Sequence, residues 1–423
     1  MNQIRNLGWR VTLAGLGINL ALGILYTWSI FKMAIKDSIV AKDGLFNWSL
    51  ASLNDPYAVC CLVFAFTMIF AGRIQDRISP RITAMIGGVL TGLGLILISF
   101  STAWISWIIG FGIFTGMGLG FGYASATPPA IKWFPSAKTG MIAGIVVAGF
   151  GLASVYIAPL AIFLIDRLGL SMAMLVFGIS FLIVVTILAQ FLVNPPEGYV
   201  APSTVTGKGA ASGNTVNFSP TEMLRTPVFY KLWAIFCIAS GAGLMIIGSV
   251  AGMAKQGMGQ MAWVVVALMA VGNASGRVIA GMLSDRIGRA NTLFIMLVFQ
   301  ALVIFSLLYI PADQVILLVL AATFIGFNYG TNLSLFPSAT KDYFGLKNFG
   351  VNYGFVFSAW GVGGFIFPRV SQMIVATTNS PRMSYILASG LLLTGAVLAL
   401  MTKSPASADE EPGFMPQPVP EEL

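Results

Sequence analysis

The 423-residue chain is 57% hydrophobic and only 9% charged, with a formal net charge of +8, three cysteines and no histidine. A soluble domain devotes about 25% of its residues to charge, so this composition excludes an ordinary water-soluble fold and places the chain among polytopic membrane proteins. Without histidine, and with Cys60, Cys61 and Cys237 at no metal-ligand spacing, zinc chemistry, a disulfide framework and His-based acid/base catalysis all lose their residues.

Six apolar runs of membrane-crossing length come first, near residues 9–33, 50–72, 82–100, 103–127, 139–165 and 171–193. The first follows Arg5 and Arg10. It outruns a signal-peptide core, lacks a small-residue cleavage site and carries Tyr26, Trp28 and Lys32, so it is read as a span. Behind the second run lies GRIQDRISPR, residues 72–81. The stretch GMGLGFG, residues 116–122, imitates a dinucleotide loop, but it lies inside an apolar span with no strand before it, and small residues at helix-packing spacing account for it. Residues 194–226 then lose all apolar periodicity and are rich in Pro, Gly, Ser and Thr, as expected of a cytoplasmic linker. Its end, Ser219-Pro220-Thr221-Glu222, has capping-box spacing with proline at the first helical position and predicts a short surface helix.

Six more spans follow, near 228–254, 260–283, 290–310, 314–338, 349–375 and 383–402. The chain repeats itself across the linker: GRIQDRISPR (72–81) matches GMLSDRIGRA (281–290) at an offset of 209, and GMIAGIVVAGFG (140–151) matches GVNYGFVFSAWG (350–361) at an offset of 210. The expectation is therefore an all-α integral membrane protein of twelve transmembrane helices in two pseudo-symmetric six-helix halves, 1–193 and 227–403. The acidic, proline-rich residues 404–423 are expected to form a disordered tail.

Positive residues are spread over loops, which sets aside nucleic acid and reports topology instead. With both termini cytoplasmic, residues such as Arg73, Arg77, Arg81, Lys132, Lys138, Arg286, Arg289, Lys341 and Lys347 fall inside, the orientation expected for a multi-pass protein of the cytoplasmic (inner) membrane. Asp76 and Asp285, at the cytoplasmic ends of spans, can pair with the loop arginines Arg77, Arg81, Arg286 and Arg289 and with a neighbouring helix N-terminus, forming a gate that holds one access state; the plainer alternative is a solvated turn carrying orientation charges.

Arg277 belongs to neither side. Eight residues before Asp285, at about 1.5 Å per residue, it lies roughly 12 Å into a core about 30 Å thick. Subtracting the repeat offset lands on Met68, so the scaffold does not demand a charge there. Burying it costs at least about 2.5–3.5 kcal/mol, and no acid near the middle of a span offsets that. A substrate carboxylate would, since the planar guanidinium forks a carboxylate, and Asn273, one turn earlier, could add an amide donor. The bland alternative is that Arg277 bonds helix carbonyls. Tyr123, Tyr329 and Trp360 lie at similar depth and could line the same cavity.

The duplicated G-x-x-x-D-R element after the second span of each half resembles the loop motif of the major facilitator superfamily, with Ser79-Pro80 in the first copy where Gly-Arg is expected. Within it, ALGILYTWSIF (21–31), KWFP (132–135), TEMLRTPVFYKLW (221–233), SGRVIAGMLSDRIGR (275–289), LFPSATKDYFG (335–345) and NYGFVFSAWG (352–361) resemble the oxalate:formate antiporter group and its monocarboxylate-transporter relatives. That resemblance implies a substrate pocket that maps here onto Leu25, Tyr123, Tyr329, Leu333, Phe357 and Trp360, besides Arg277 and Asn273. It also marks two departures: Trp360 stands where the oxalate carriers place a second cation, and Asn273 where animal monocarboxylate carriers place an acid.

The function expected is secondary active transport of a small monocarboxylate such as lactate, pyruvate or formate by alternating access, as proton symport or anion antiport, by a monomer in lipid, with no cofactor and no metal. Oxalate:formate exchange is the alternative within that class. An anion channel is the alternative outside it, disfavoured because channels line a pore with rings of donors, and an enzyme lacks paired carboxylates here.

Overall fold

The computed structural model describes the chain except residues 1–5, 197–198, 200–216, 259–261, 312 and 406–423. Most of the expected linker and nearly all of the expected tail therefore lie outside the described residues. Among those described there is no strand.

Twelve long helices follow one another among the described residues. In chain order they are α1 (Gly8–Ala41), α2 (Asp55–Arg77), α3 (Pro80–Ser99), α4 (Trp104–Lys132), α5 and α6 (within Thr139–Ala189), α7 (Pro227–Met258), α8 (Ala262–Ile287), α9 (Arg289–Ser306), α10 (Val315–Phe344), α11 (Phe349–Thr378) and α12 (Arg382–Leu400). Helices α5 and α6 are separated at Gly169, whose φ of 81° only glycine adopts cheaply. The chain is a multi-pass membrane protein, with six helices on either side of the linker.

Local chemistry sets the breaks. Asp55 and Pro56 open α2, an acid and a proline in the first turn, where the dipole and the unpaired N–H groups favour them. The Ser79-Pro80 pair that departs from the repeat opens α3: the Ser79 hydroxyl accepts from the Arg81 amide at 3.2 Å. In the second half the same corner is turned by Gly288 at φ 88°. Helix α1 tightens to a 3-10 segment at Gly23–Thr27, where Gly23 lies hard against the Phe150 carbonyl and Ala153 of α5. A π segment, Ile108–Thr115, interrupts α4. The surface helix Pro220–Arg225 forms with both halves of its capping box in place, Glu222 accepting from the Ser219 amide at 2.7 Å, a contact that holds the Glu222 carboxyl below its ordinary range.

The two halves meet along two pseudo-equivalent crossings, α2 on α11 and α5 on α8. A side chain on Gly72 would overlap the Gly350 carbonyl, and one on Gly281 the Gly140 carbonyl. These two pairs are related by the repeat offsets of 209 and 210. Backbones at such contact leave no path for water between the helices at these two crossings.

Candidate substrate site

Arg277, on α8, is fully buried. Its Nε donates to Asn273 Oδ1 at 2.9 Å, its Nη1 to the Val147 carbonyl of α5, and its Nη2 to the Tyr26 hydroxyl of α1 at a long 3.5 Å. Gly151 makes this approach possible: a Cβ there would sit 2.7 Å from Asn273 Oδ1 and 3.3 Å from Arg277 Cζ. Asn273 thus takes part in the Arg277 contact through its Oδ1, as acceptor. No Asp or Glu among the described residues pairs with the guanidinium. Each terminal nitrogen carries two N–H groups and has one partner among the described residues, which leaves one N–H on each without a partner there.

Around it stands an aromatic cage drawn from both halves. Tyr26 packs edge-on against Phe150 at 5.3 Å, Phe150 against Tyr123 at 5.6 Å, Tyr123 against Phe357 at 5.4 Å, and Phe357 stacks on Trp360 at 5.2 Å. Phe64 of α2 touches Tyr123, Phe150, Phe357 and Trp360. The Trp360 indole N–H donates to the Tyr329 hydroxyl at 2.7 Å. The Tyr123 and Tyr353 hydroxyls are buried facing each other and find no other hydrogen-bond partner among the described residues.

Six of the eight pocket residues expected from sequence, Arg277, Asn273, Tyr123, Tyr329, Phe357 and Trp360, are joined by these contacts. Leu25 and Leu333 are buried, Leu25 beside Tyr26 in the 3-10 segment and Leu333 one turn past Tyr329, without a polar or ring contact that ties them to the cage. Sequence reasoning missed Tyr26, Phe64 and Tyr353 and the Val147 carbonyl. Phe150 carried a signal, its alignment with Trp360 in the repeat; the two rings meet the same Phe64. Phe64 sits in an apolar run with nothing to mark it, and no sequence signal names the helix carbonyl that an arginine will reach.

Near the C-terminal end of α8, Asp285 accepts from the Gly140 and Met141 amides at 2.8 and 2.9 Å, the first N–H groups of α5. Asp76 accepts from the Gly350 and Val351 amides at 3.1 and 3.0 Å at the start of α11. A carboxylate placed on orphan N–H groups completes a helix end and opposes its dipole. The two contacts differ in their surroundings. Arg289 binds Asp285 at 2.8 Å and Asp342 at 2.7 Å, and Lys341 binds Asp342 at 3.1 Å and the Ser136 hydroxyl at 3.0 Å. Asp76 has no such arginine among the described residues; the cation that acts on it is Lys132, the repeat equivalent of Lys341. Arg77, Arg81 and Arg286 are exposed and form no ion pair among the described residues, so of the expected loop arginines only Arg289 takes part. A cavity of about 410 Å³ opens beside this network, between Ser136, Asp285, Arg289 and Asp342, but its charged walls are already paired with one another.

Twelve helices in two pseudo-symmetric halves, crossing on shared glycines with a polar centre between them, define a secondary-transporter fold. The profile of the Major Facilitator Superfamily matches residues 14–368, with a second match over 245–421, and the chain belongs to that family of transporters. It is 28% identical over 361 residues to an uncharacterized MFS-type transporter, YhjX, of Escherichia coli (strain K12), covering 84% of this chain and 85% of that one. It is 28% identical over 344 residues to the oxalate:formate antiporter of Oxalobacter formigenes, covering 80% and 77%. Among solved structures it resembles the human organic anion transporter MFSD10 (TETRAN), with a TM-score of 0.69 at 15% identity over 93% of this chain and 99% of that one, a likeness of fold alone.

Proposed function

We propose that this transporter carries small monocarboxylates of the lactate, pyruvate or formate class across the cytoplasmic membrane by alternating access, as proton symport or anion exchange, with both termini inside. The observation that carries the proposal is Arg277: a fully buried guanidinium with, among the described residues, no carboxylate partner and one partner on each terminal nitrogen. That pair of donors suits an end-on carboxylate fork, and a monoanion entering the site restores neutrality in the low dielectric around it. Of the facing Tyr123 and Tyr353 hydroxyls one can turn its donor to a bound oxygen, and the rings of Phe64, Phe150, Phe357 and Trp360 suit a short apolar tail. The cage presents one cation, consistent with one carboxylate.

Asp76 and Asp285 are proposed as the gate. In the closed state each caps a helix of the opposite half, and rocking of the halves breaks both contacts together. Oxalate:formate exchange is the second reading, favoured by the 28% identity to a carrier of that name. Counterflow in proteoliposomes, with a panel of labelled acids, tests both: saturable exchange of lactate or pyruvate supports the first, strong preference for oxalate replaces it with the second, and non-saturable leak removes the carrier reading.

A further inference from the structure

The two gate contacts are equivalent by the repeat, yet they are braced differently. At Asp285 the brace is Arg289, itself held by Asp342. The position equivalent to Arg289 in the first half is Pro80, 209 residues earlier, which has no donor to offer. On the other side of that contact, the start of α11 is held by the end of the linker instead. The Phe218 carbonyl accepts from Asn348 Nδ2 and Asn352 Nδ2, both at 3.1 Å, the Phe218 amide donates to the Phe344 carbonyl at 3.0 Å, and its ring packs edge-on against Phe344. Asn217 Oδ1 accepts from the Leu346 and Lys347 amides, both at 3.0 Å. The strap is anchored by the capped surface helix Pro220–Arg225, whose Met223 is fully buried. The asparagines belong to this half alone: by the offset of 210, Asn348 and Asn352 correspond to Lys138 and Ile142 at the start of α5.

We infer that linker residues Asn217 and Phe218, working through Asn348 and Asn352, are the positioning brace of the Asp76 gate, replacing the arginine that the first half lacks. The Gly350 and Val351 amides that Asp76 grips lie between the two asparagines, so anything that fixes Asn348 and Asn352 fixes the direction of those N–H groups. A carboxylate–amide contact weakens steeply once misaligned, so a loosened strap frees the first half to rock away. The linker, which joins the halves covalently, would thereby also bias which access state they occupy.

This inference rests on the reading of Asp76 and Asp285 as gates, and the experiment separates the two. Spin labels on Lys138→Cys and Asn291→Cys, exposed positions in opposite halves and away from the strap, report cytoplasmic opening as a distance in the full-length protein; the native cysteines are buried. The Asn348→Ala/Asn352→Ala pair should raise the open fraction severalfold. The same pair should add nothing once Asp76→Asn is present, yet act in full on top of Asp285→Asn. Asn217→Ala alters no membrane span and should shift the distribution in the same direction, so the measurement survives if the double variant does not fold. An unchanged distribution in these variants while Asp76→Asn itself opens the protein, or a full further shift on top of Asp76→Asn, overturns the brace. If Asp76→Asn leaves the distribution unchanged, the gate reading falls and the brace with it.

Discussion

Arg277 and Met68 occupy equivalent places in the two halves, and each lays its backbone carbonyl against a glycine of the other half, Arg277 on Gly144 and Met68 on Gly354. The crossing is the same; only the side chain differs. Helix packing therefore does not explain the charge. Arg277→Met, which copies the first half into the second, should give a folded, membrane-inserted protein with substrate binding lost by at least about tenfold, on the order of 1.4 kcal/mol. Arg277→Lys should recover little, because a point charge cannot fork a carboxylate. Both are read by substrate-dependent thermal shift and counterflow; undiminished binding in Arg277→Met would sink the proposed function.

Trp360 stacks on Phe357 at one side of the cage and is fixed by its hydrogen bond to Tyr329. A neutral ring there should leave a second carboxylate without a partner, so lactate-sized acids should compete better than oxalate in the wild type. Trp360→Lys should move the preference toward dicarboxylates. Competition against labelled lactate measures this, and a wild type that prefers oxalate overturns it.

Gly281 and Gly72 should be interchangeable in their consequences. A larger side chain at either meets a carbonyl of the opposite half, and such overpacking costs about 1–3 kcal/mol. Gly281→Val and Gly72→Val should each depopulate the cytoplasm-closed state by tenfold or more and slow exchange, by the same distance measurement used for the brace. Normal exchange in both variants would mean that this crossing does not close the protein.

Asp55 opens α2 at the first turn, next to Pro56, where a carboxylate serves the helix end. If a proton is carried, Asp55 is not its carrier: Asp55→Asn should retain most of the uptake driven by an imposed pH gradient. A variant that exchanges substrate yet ignores the gradient would make Asp55 the coupling site.

Twelve apolar stretches, the repeat offsets and the burial of Arg277 were all legible in the chain, because each depends on what a residue costs in hydrocarbon or on its spacing along one helix. Span ends were less so: α2 continues to Arg77 and α4 to Lys132, since helical hydrogen bonding runs on past the point where apolar composition stops. The sequence marked Tyr123, Tyr329, Phe357 and Trp360 only as deep aromatics. Only the tertiary structure decided that Tyr26, Phe64 and Phe150 stand among them, that Arg277 reaches the Val147 carbonyl, and that Asp76 and Asp285 each find two amides at the start of a helix in the other half. The reason is that the Val147, Gly140 and Gly350 contacts join helices from opposite halves, where the partner is set by which faces meet, whereas the Asn273–Arg277 and Asp285–Arg289 pairs stand four residues apart and were within reach of the sequence. No periodicity within a single helix records a partner in the other half.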